Sequence, residues 1–293
     1  MLNFLRTMSI KNKIKTLSFF PLVFIIGMSF YIDMNLYNKQ SKLVDVKEII
    51  DLNERISLLL HETQKERGIT SVFLGTKGAK FKDTLITQKE LTNKNIEEFK
   101  KTINKISVEK YPENGKNLID NVLKELSSIQ NIRSDVDSLA IDAKKAIAYY
   151  TDLNATLLSF VALTSTIADS ESTIKSIIAY YNFLMAKERA GIERAVGSNT
   201  FASKTFASGM FVKYLGLVNE QKIFFDAFFM YVGENKTFFN EKINHPVIQE
   251  VQKMRELLLS YGENKDVVLD IDSTIWFDKM TQKIDILKQI DDY

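Results

Sequence analysis

Cysteine is absent from this 293-residue chain, which excludes disulfide frameworks, thiolate metal sites and cysteine nucleophiles. Histidine occurs only twice, at His61 and His245, too few for a histidine-built metal site. No cofactor is expected. Glycine (11) and proline (3) are scarce. Turn-dense β architectures need both, so their scarcity points to long helices. What is present is ordinary for a folded chain: 45% apolar and 26% charged residues, neither wholly disordered nor a polytopic membrane protein. No nucleophile–base pair, phosphate loop or metal-ligand cluster stands out, so no enzymatic activity is expected.

The net charge of +2 is unevenly placed. Arg6, Lys11, Lys13 and Lys15 precede an uncharged run, Thr16–Ile32, that Asp33 ends. With its basic end removed the chain is slightly acidic, so no nucleic-acid partner is expected. The run is at the short end of the length that spans a bilayer, about 17–25 residues. Its basic flank places residues 1–15 in the cytoplasm and residues 33–293 outside, by the positive-inside rule. A cleaved signal peptide is the rival reading, but the Asp33–Lys39 segment that follows offers no small-residue cleavage site. The expectation is therefore an uncleaved span at 16–32 in a bacterial inner membrane, with 33–293 in the periplasm. No later run is expected to span. The chain stops inside a helical stretch, Trp276 to Tyr293, so further sequence, with a second span, is expected beyond it.

From Leu43 onward apolar residues recur at helical spacing (43, 46, 49/50, 52, 56, 59/60), predicting an unbroken helix to about residue 74. Gly75–Gly78 reads as the first turn. Further helices are predicted over 81–107, from Leu118 through Ile129, over Ala143–Ala168 and Ser172–Val196, in segments to about 243, over His245–Tyr261, and from Ser273, a candidate N-cap. Tyr111–Gly115 reads as a loop. The fold class is all-α: stacked up-and-down antiparallel helical bundles preceded by one transmembrane helix. Stripes of this length also suit pairing with a second chain, so a homodimer is expected. Trp276 and the aromatics Phe224, Phe225, Phe228, Phe229 and Tyr231 read as core, and His61 as interhelical packing.

Arginine carries the functional signal. Only seven of 39 basic residues are Arg. Three of the seven sit in a Glu-Arg pair followed by a small residue: Glu66-Arg67-Gly68, Glu188-Arg189-Ala190 and Glu193-Arg194-Ala195. Arg kept in a Lys-rich chain suggests use of its planar fork of donors, which suits a flat oxyanion. The competing reading is salt bridging between helices, with the protein an anchored helical interaction module that takes no small ligand. Arg67, Ser71 and Leu74 share a helix face, and a buried guanidinium there needs a carboxylate, such as Glu188 or Glu193, or an anion.

Gln64-Lys65-Glu66-Arg67-Gly68-Ile69-Thr70-Ser71 resembles the opening of the nitrate- and nitrite-sensing (NIT) domain family. Lys187-Glu188-Arg189-Ala190-Gly191-Ile192-Glu193-Arg194-Ala195 resembles its second signature, and Trp276-Phe277 with Met280–Asp285 its ending. The resemblance spans about residues 50–290. It implies two stacked helical bundles holding nitrate or nitrite by Arg between facing helices, in the sensor region of a chemotaxis-type receptor or histidine kinase. Arg67 and Arg194 are then the anion-binding candidates, Arg189 a lesser one, and Ser71 a possible donor. Lys283 stands where the family pattern carries Arg, a point charge in place of a fork. Arg67 and Arg194 are expected to converge on one pocket with no acid between them, which would mark an anion site.

Overall fold

A computed structural model describes residues 9–106, 109, 111–168, 170–232 and 236–292. The sequence expectations for residues 1–8, Ser107 and Tyr293 lie outside the described residues. Nine helices are described: α1 Ile10–Gly75, α2 Lys82–Ile103, α3 Glu113–Asp137, α4 Ala143–Thr164, α5 Glu171–Ser203, α6 Met210–Tyr231, α7 Lys236–Ile243, α8 Pro246–Glu263 and α9 Ser273–Asp291. No strand occurs among the described residues.

The chain divides into two units, residues 1–48 and 49–293. The first comprises the N-terminal part of α1. Its apolar stretch Ser18–Tyr37 is 20 residues long and entirely exposed, enough to cross a bilayer at 1.5 Å per residue. It extends five residues beyond the expected 16–32, because Asp33 alone does not break the helix. Pro21 lies within it, as membrane-spanning helices tolerate. The α4 segment Ala143–Thr164 also has the length and apolarity of a span, against expectation, but half of it is buried within the protein. Its apolarity is explained by Leu153, Leu157 and Val161, each fully buried.

In the second unit, α1 from Ile49 forms one bundle with α2, α3 and α4. Leu52, Ile56, Leu59 and Leu60 of α1 meet Ile96 and Phe99 of α2, Val122 and Leu126 of α3, and Leu153 and Leu157 of α4. A second bundle joins α5, α6, the α7–α8 pair and α9 around Phe183, Phe228, Phe239, Leu258 and Trp276. The two cores run together as one apolar cluster. A smaller cluster of Ile69, Phe73, Leu85, Val136, Ala146 and Phe277 lies beside it.

Local chemistry sets the helix ends. The Gly75–Gly78 turn forms as expected: Gly78 adopts φ +82° and its N–H donates to the Phe73 carbonyl at 2.8 Å, a left-handed stop that glycine takes without strain. Asp142 caps α4 by accepting from the Lys145 N–H, and Ser170 caps α5 by accepting from Thr173. Ser273 is not the N-cap of α9. Asp272 is, because its carboxylate accepts both the N–H and the hydroxyl of Thr274 at 2.7 Å. Helix α5 runs seven residues past the expected Val196, since Gly197 is helical and carries the ring of Trp276. The α6 aromatics are only partly core: Phe228 is buried, Phe224, Phe225 and Phe229 are half-buried, and Tyr231 is exposed. Helix α6 turns one face outward, and that face carries Tyr231.

Trp276 is fully buried and its Nε1 donates to the Arg194 carbonyl at 2.9 Å. A Cβ at Gly197 would lie 2.4 Å from that ring. Gly197→Ala should therefore cost about 1–3 kcal/mol by overpacking, less the roughly 1 kcal/mol that Ala gains in helix propensity. Denaturant midpoints of the two proteins check this. An unchanged or raised midpoint would mean that the ring yields.

Candidate functional site

Neighbouring helical residues point about 100° apart, and each Glu-Arg pair uses that divergence. Glu66 faces its own bundle. It accepts from Arg133 Nε at 2.7 Å and Nη2 at 2.8 Å, and from the Tyr150 hydroxyl at 2.7 Å. Glu193 does the same in the second bundle. It accepts from Arg255 Nε at 2.7 Å and Nη2 at 2.8 Å, from Gln221 at 2.8 Å and from Tyr214 at 3.2 Å. Both carboxylates are fully buried. Arg255 and then Lys283 hold Glu193 down to about pH 2 in its titration, against the upward push of burial.

With the acids turned inward, Arg67 and Arg194 turn toward the junction of the bundles. Both are 1% exposed. Arg67 reaches across to Glu188 of α5 through both Nη atoms, the second at 3.1 Å, and its Nη1 donates to Thr151 at 3.1 Å. Arg194 reaches back toward α1: Nη2 donates to the Gln64 carbonyl at 3.1 Å and Nη1 to Thr281 at 2.9 Å. The Arg194 guanidinium lies 4.8 Å from the centre of the Phe277 ring, a cation–π contact. Each guanidinium occupies space left by a glycine of the opposite helix. A Cβ on Gly68 would lie 2.5 Å from Arg194 Nη2, and one on Gly191 2.9 Å from Arg67 Nη2.

The two cations differ in their partners. The Glu188 carboxylate on Arg67 also accepts from Gln64 Nε2 at 2.8 Å and Asn154 Nδ2 at 3.3 Å. The expected pair of unaccompanied cations is thus not what forms, because the helix turn between Glu188 and Gly191 carries a carboxylate onto Arg67. Arg194 has no ion-pair partner among the described residues, and its Nε is buried with no hydrogen-bond acceptor. Burial, and then the charge of Arg67, lower its pKa to about 10. Among the buried groups, Arg67, Glu188 and Arg194 leave one positive charge in excess; the exposed Asp285 acts on Arg194 from beyond ion-pair distance, and Lys65 acts on that carboxylate in turn. Gln64 Oε1 and Ser198 Oγ are likewise buried without partners.

Of the other candidates, Arg189 and Lys283 lie elsewhere. Arg189 is partly exposed, pairs with Glu220 of α6, and stacks 5.4 Å from the Phe224 ring centre. Lys283 sits in the second bundle's core, donating to Gln221 at 3.1 Å and 3.8 Å from Glu193. Ser71 is buried one turn beyond Arg67. His61 is buried, and burial, followed by the charge of Lys187, depresses its pKa far below the usual histidine range. Sequence reasoning did not select Gln64, Thr151, Thr281 or Phe277 as contacts, nor Arg133 and Arg255 as locks. The rarity of Arg was signal enough for the last two. A groove of about 570 Å3 between α4, α5 and the start of α6 is walled by Thr151, Ile192, Ala195 and Met210, so it reaches the hydroxyl that accepts from Arg67.

Removing one partner of a buried pair strands the other. Arg133→Met should cost about 3–5 kcal/mol, whereas Arg189→Met at the partly exposed Glu220 pair should cost less than about 1 kcal/mol. Equal losses in urea denaturation would contradict the lock. A second prediction concerns pH. Burial, then Arg255, lower the Lys283 pKa from 10.5 to about 7. The unfolded chain thus holds this proton more tightly, so the group's contribution to stability rises as pH goes from about 7 to about 10. Lys283→Met should flatten that rise, measured as unfolding free energy against pH. A parallel rise in both proteins would exclude Lys283 as its source.

The family described as nitrate and nitrite sensing matches residues 58–293. Comparison with curated proteins gives no match. Among solved structures, that of the NasR transcription antiterminator is similar, with a TM-score of 0.77 at 20% identity, over 91% of this chain and 71% of that one. The fold is thus shared, and the span of the family match decides membership: this chain belongs to the nitrate and nitrite sensing family.

Proposed function

We propose that the second unit is the sensory region of a bacterial transmembrane receptor and binds nitrate or nitrite at Arg194, with Arg67 as the second cation. The observation that carries this reading is Arg194 itself. A guanidinium 1% exposed, with no ion-pair partner among the described residues and an orphaned Nε, is costly to bury unless an anion completes it. Thr281 and the Phe277 face orient it, and a planar oxyanion matches its fork. Arg189, paired with Glu220, and Lys283, bonded to Gln221, take no direct part. The groove beside Thr151 is the access route. Arg67 and the apolar stretch Ser18–Tyr37 belong to one helix, α1. The ligand acts by its differential affinity for two arrangements of the α1–α5 junction. The receptor works as a homodimer in the inner membrane, with residues 33–293 periplasmic and a chemotaxis-type or kinase output.

One observation favours the competing reading of a ligand-free helical module, namely the Arg67–Glu188 clasp. Calorimetric titration with nitrate separates the two. The wild-type chain should bind, and Arg194→Lys, which keeps charge but loses the fork, should weaken binding about tenfold or more, the worth of one charge-assisted hydrogen bond of roughly 1.5–3 kcal/mol. Melting without ligand should not fall. No binding heat in the wild type, or a lowered melting point with unchanged affinity, would support the clasp alone.

A further inference from the structure

We propose, resting on the anion-sensing reading, that Glu188 sets the charge of the ligand: by neutralising Arg67 it leaves the junction one positive charge in excess, so the site takes singly charged anions and rejects doubly charged ones. Glu188 is 2% exposed and is held by four donors, two from Arg67 and one each from Gln64 and Asn154. A carboxylate fixed on four donors stays in place when a ligand arrives, and so counts in the charge of the complex. Asp285 also acts on Arg194, but it is exposed and Lys65 acts on it more strongly; of the junction's buried groups Arg194 alone remains to be balanced. A single negative charge closes the account at zero. A dianion would leave a buried net charge of one, and its desolvation cost grows with the square of its charge, whereas its attraction to one uncompensated guanidinium only doubles.

The near-repetition of the two bundles supports this assignment. Glu66 and Glu193 make the same bidentate contact with Arg133 and Arg255. Arg67 donates to Thr151 of α4 as Arg194 donates to Thr281 of α9, and both threonines lie on the last helix of their bundle. Glu188 precedes Arg194 by six residues, and the residue six before Arg67 is His61. The register that supplies a carboxylate to Arg67 thus offers a histidine in the corresponding place on α1. This histidine is buried, with Nδ1 unpartnered. The asymmetry between the two cations is therefore built into the helices, and Glu188 is the position that differs.

Perchlorate and sulfate are both tetrahedral and differ in charge, so their affinity ratio isolates charge from shape. Titrations of the detergent-solubilised chain in chloride-free buffer should find perchlorate at least tenfold tighter than sulfate, with nitrate as the control for the site. Glu188→Gln raises the excess charge to two and should cut that ratio at least tenfold, sulfate gaining most. The double variant Arg67→Gln with Glu188→Gln restores an excess of one. It should return the ratio toward the wild-type value even though overall affinity falls. A purely structural Glu188 would lower melting without moving the ratio. Sulfate bound as tightly as perchlorate by the wild type overturns the proposal, as does an unchanged ratio in folded Glu188→Gln. If that single variant does not fold, a sulfate preference in the double variant overturns it. Nitrate binding with no perchlorate–sulfate discrimination leaves the sensing reading intact, whereas the absence of any anion binding ends both.

Discussion

The junction depends on two buried carboxylate locks. Glu66 with Arg133 and Tyr150, and Glu193 with Arg255, Gln221 and Tyr214, fix the rotation of α1 and α5 about their own axes. Buried pairs of this kind add little net stability over apolar packing. Their effect is orientational: once the acid is held inward, the arginine beside it has one direction left. The apolar core brings the bundles together, and the locks decide which side chains meet where they touch.

The helices were readable because their stripes are long and glycine and proline are rare, so each interruption has a visible cause. Gly75–Gly78 and Asp142 behave as their chemistry requires. The boundary errors have local causes: an aspartate one residue earlier wins the cap of α9, and a glycine that reads as a helix end, Gly197, is instead the seat of a tryptophan ring. The aromatic run of α6 misled because composition does not say which face of a surface helix turns outward.

The junction was half readable. Rare Glu-Arg pairs singled out Arg67 and Arg194, and the structure brings both to one place. For Arg67 the sequence narrows a carboxylate partner to Glu188 or Glu193, and Glu188, 121 positions away, is the one that meets it; the choice between them was not accessible, since spacing along a helix says nothing about facing helices. The same arginine count contained Arg133 and Arg255, which stand outside the repeated motif and were overlooked. In this chain three arginines, Arg67, Arg133 and Arg255, mark buried carboxylates, and Arg194 alone among the described ones is left without an ion pair.

The reciprocal glycines have a bearing on protein engineering. Gly68 makes room for Arg194 and Gly191 for Arg67, so each guanidinium is seated against the backbone of the other helix rather than between side chains. Copying only the two arginines onto an ordinary helix pair, whose axes lie about 8–10 Å apart with side chains between them, would leave the forks stacked on neighbouring side chains and pointing at solvent. A transplanted version needs four residues chosen together, two cations and two voids, and a scaffold whose helices cross where the voids are.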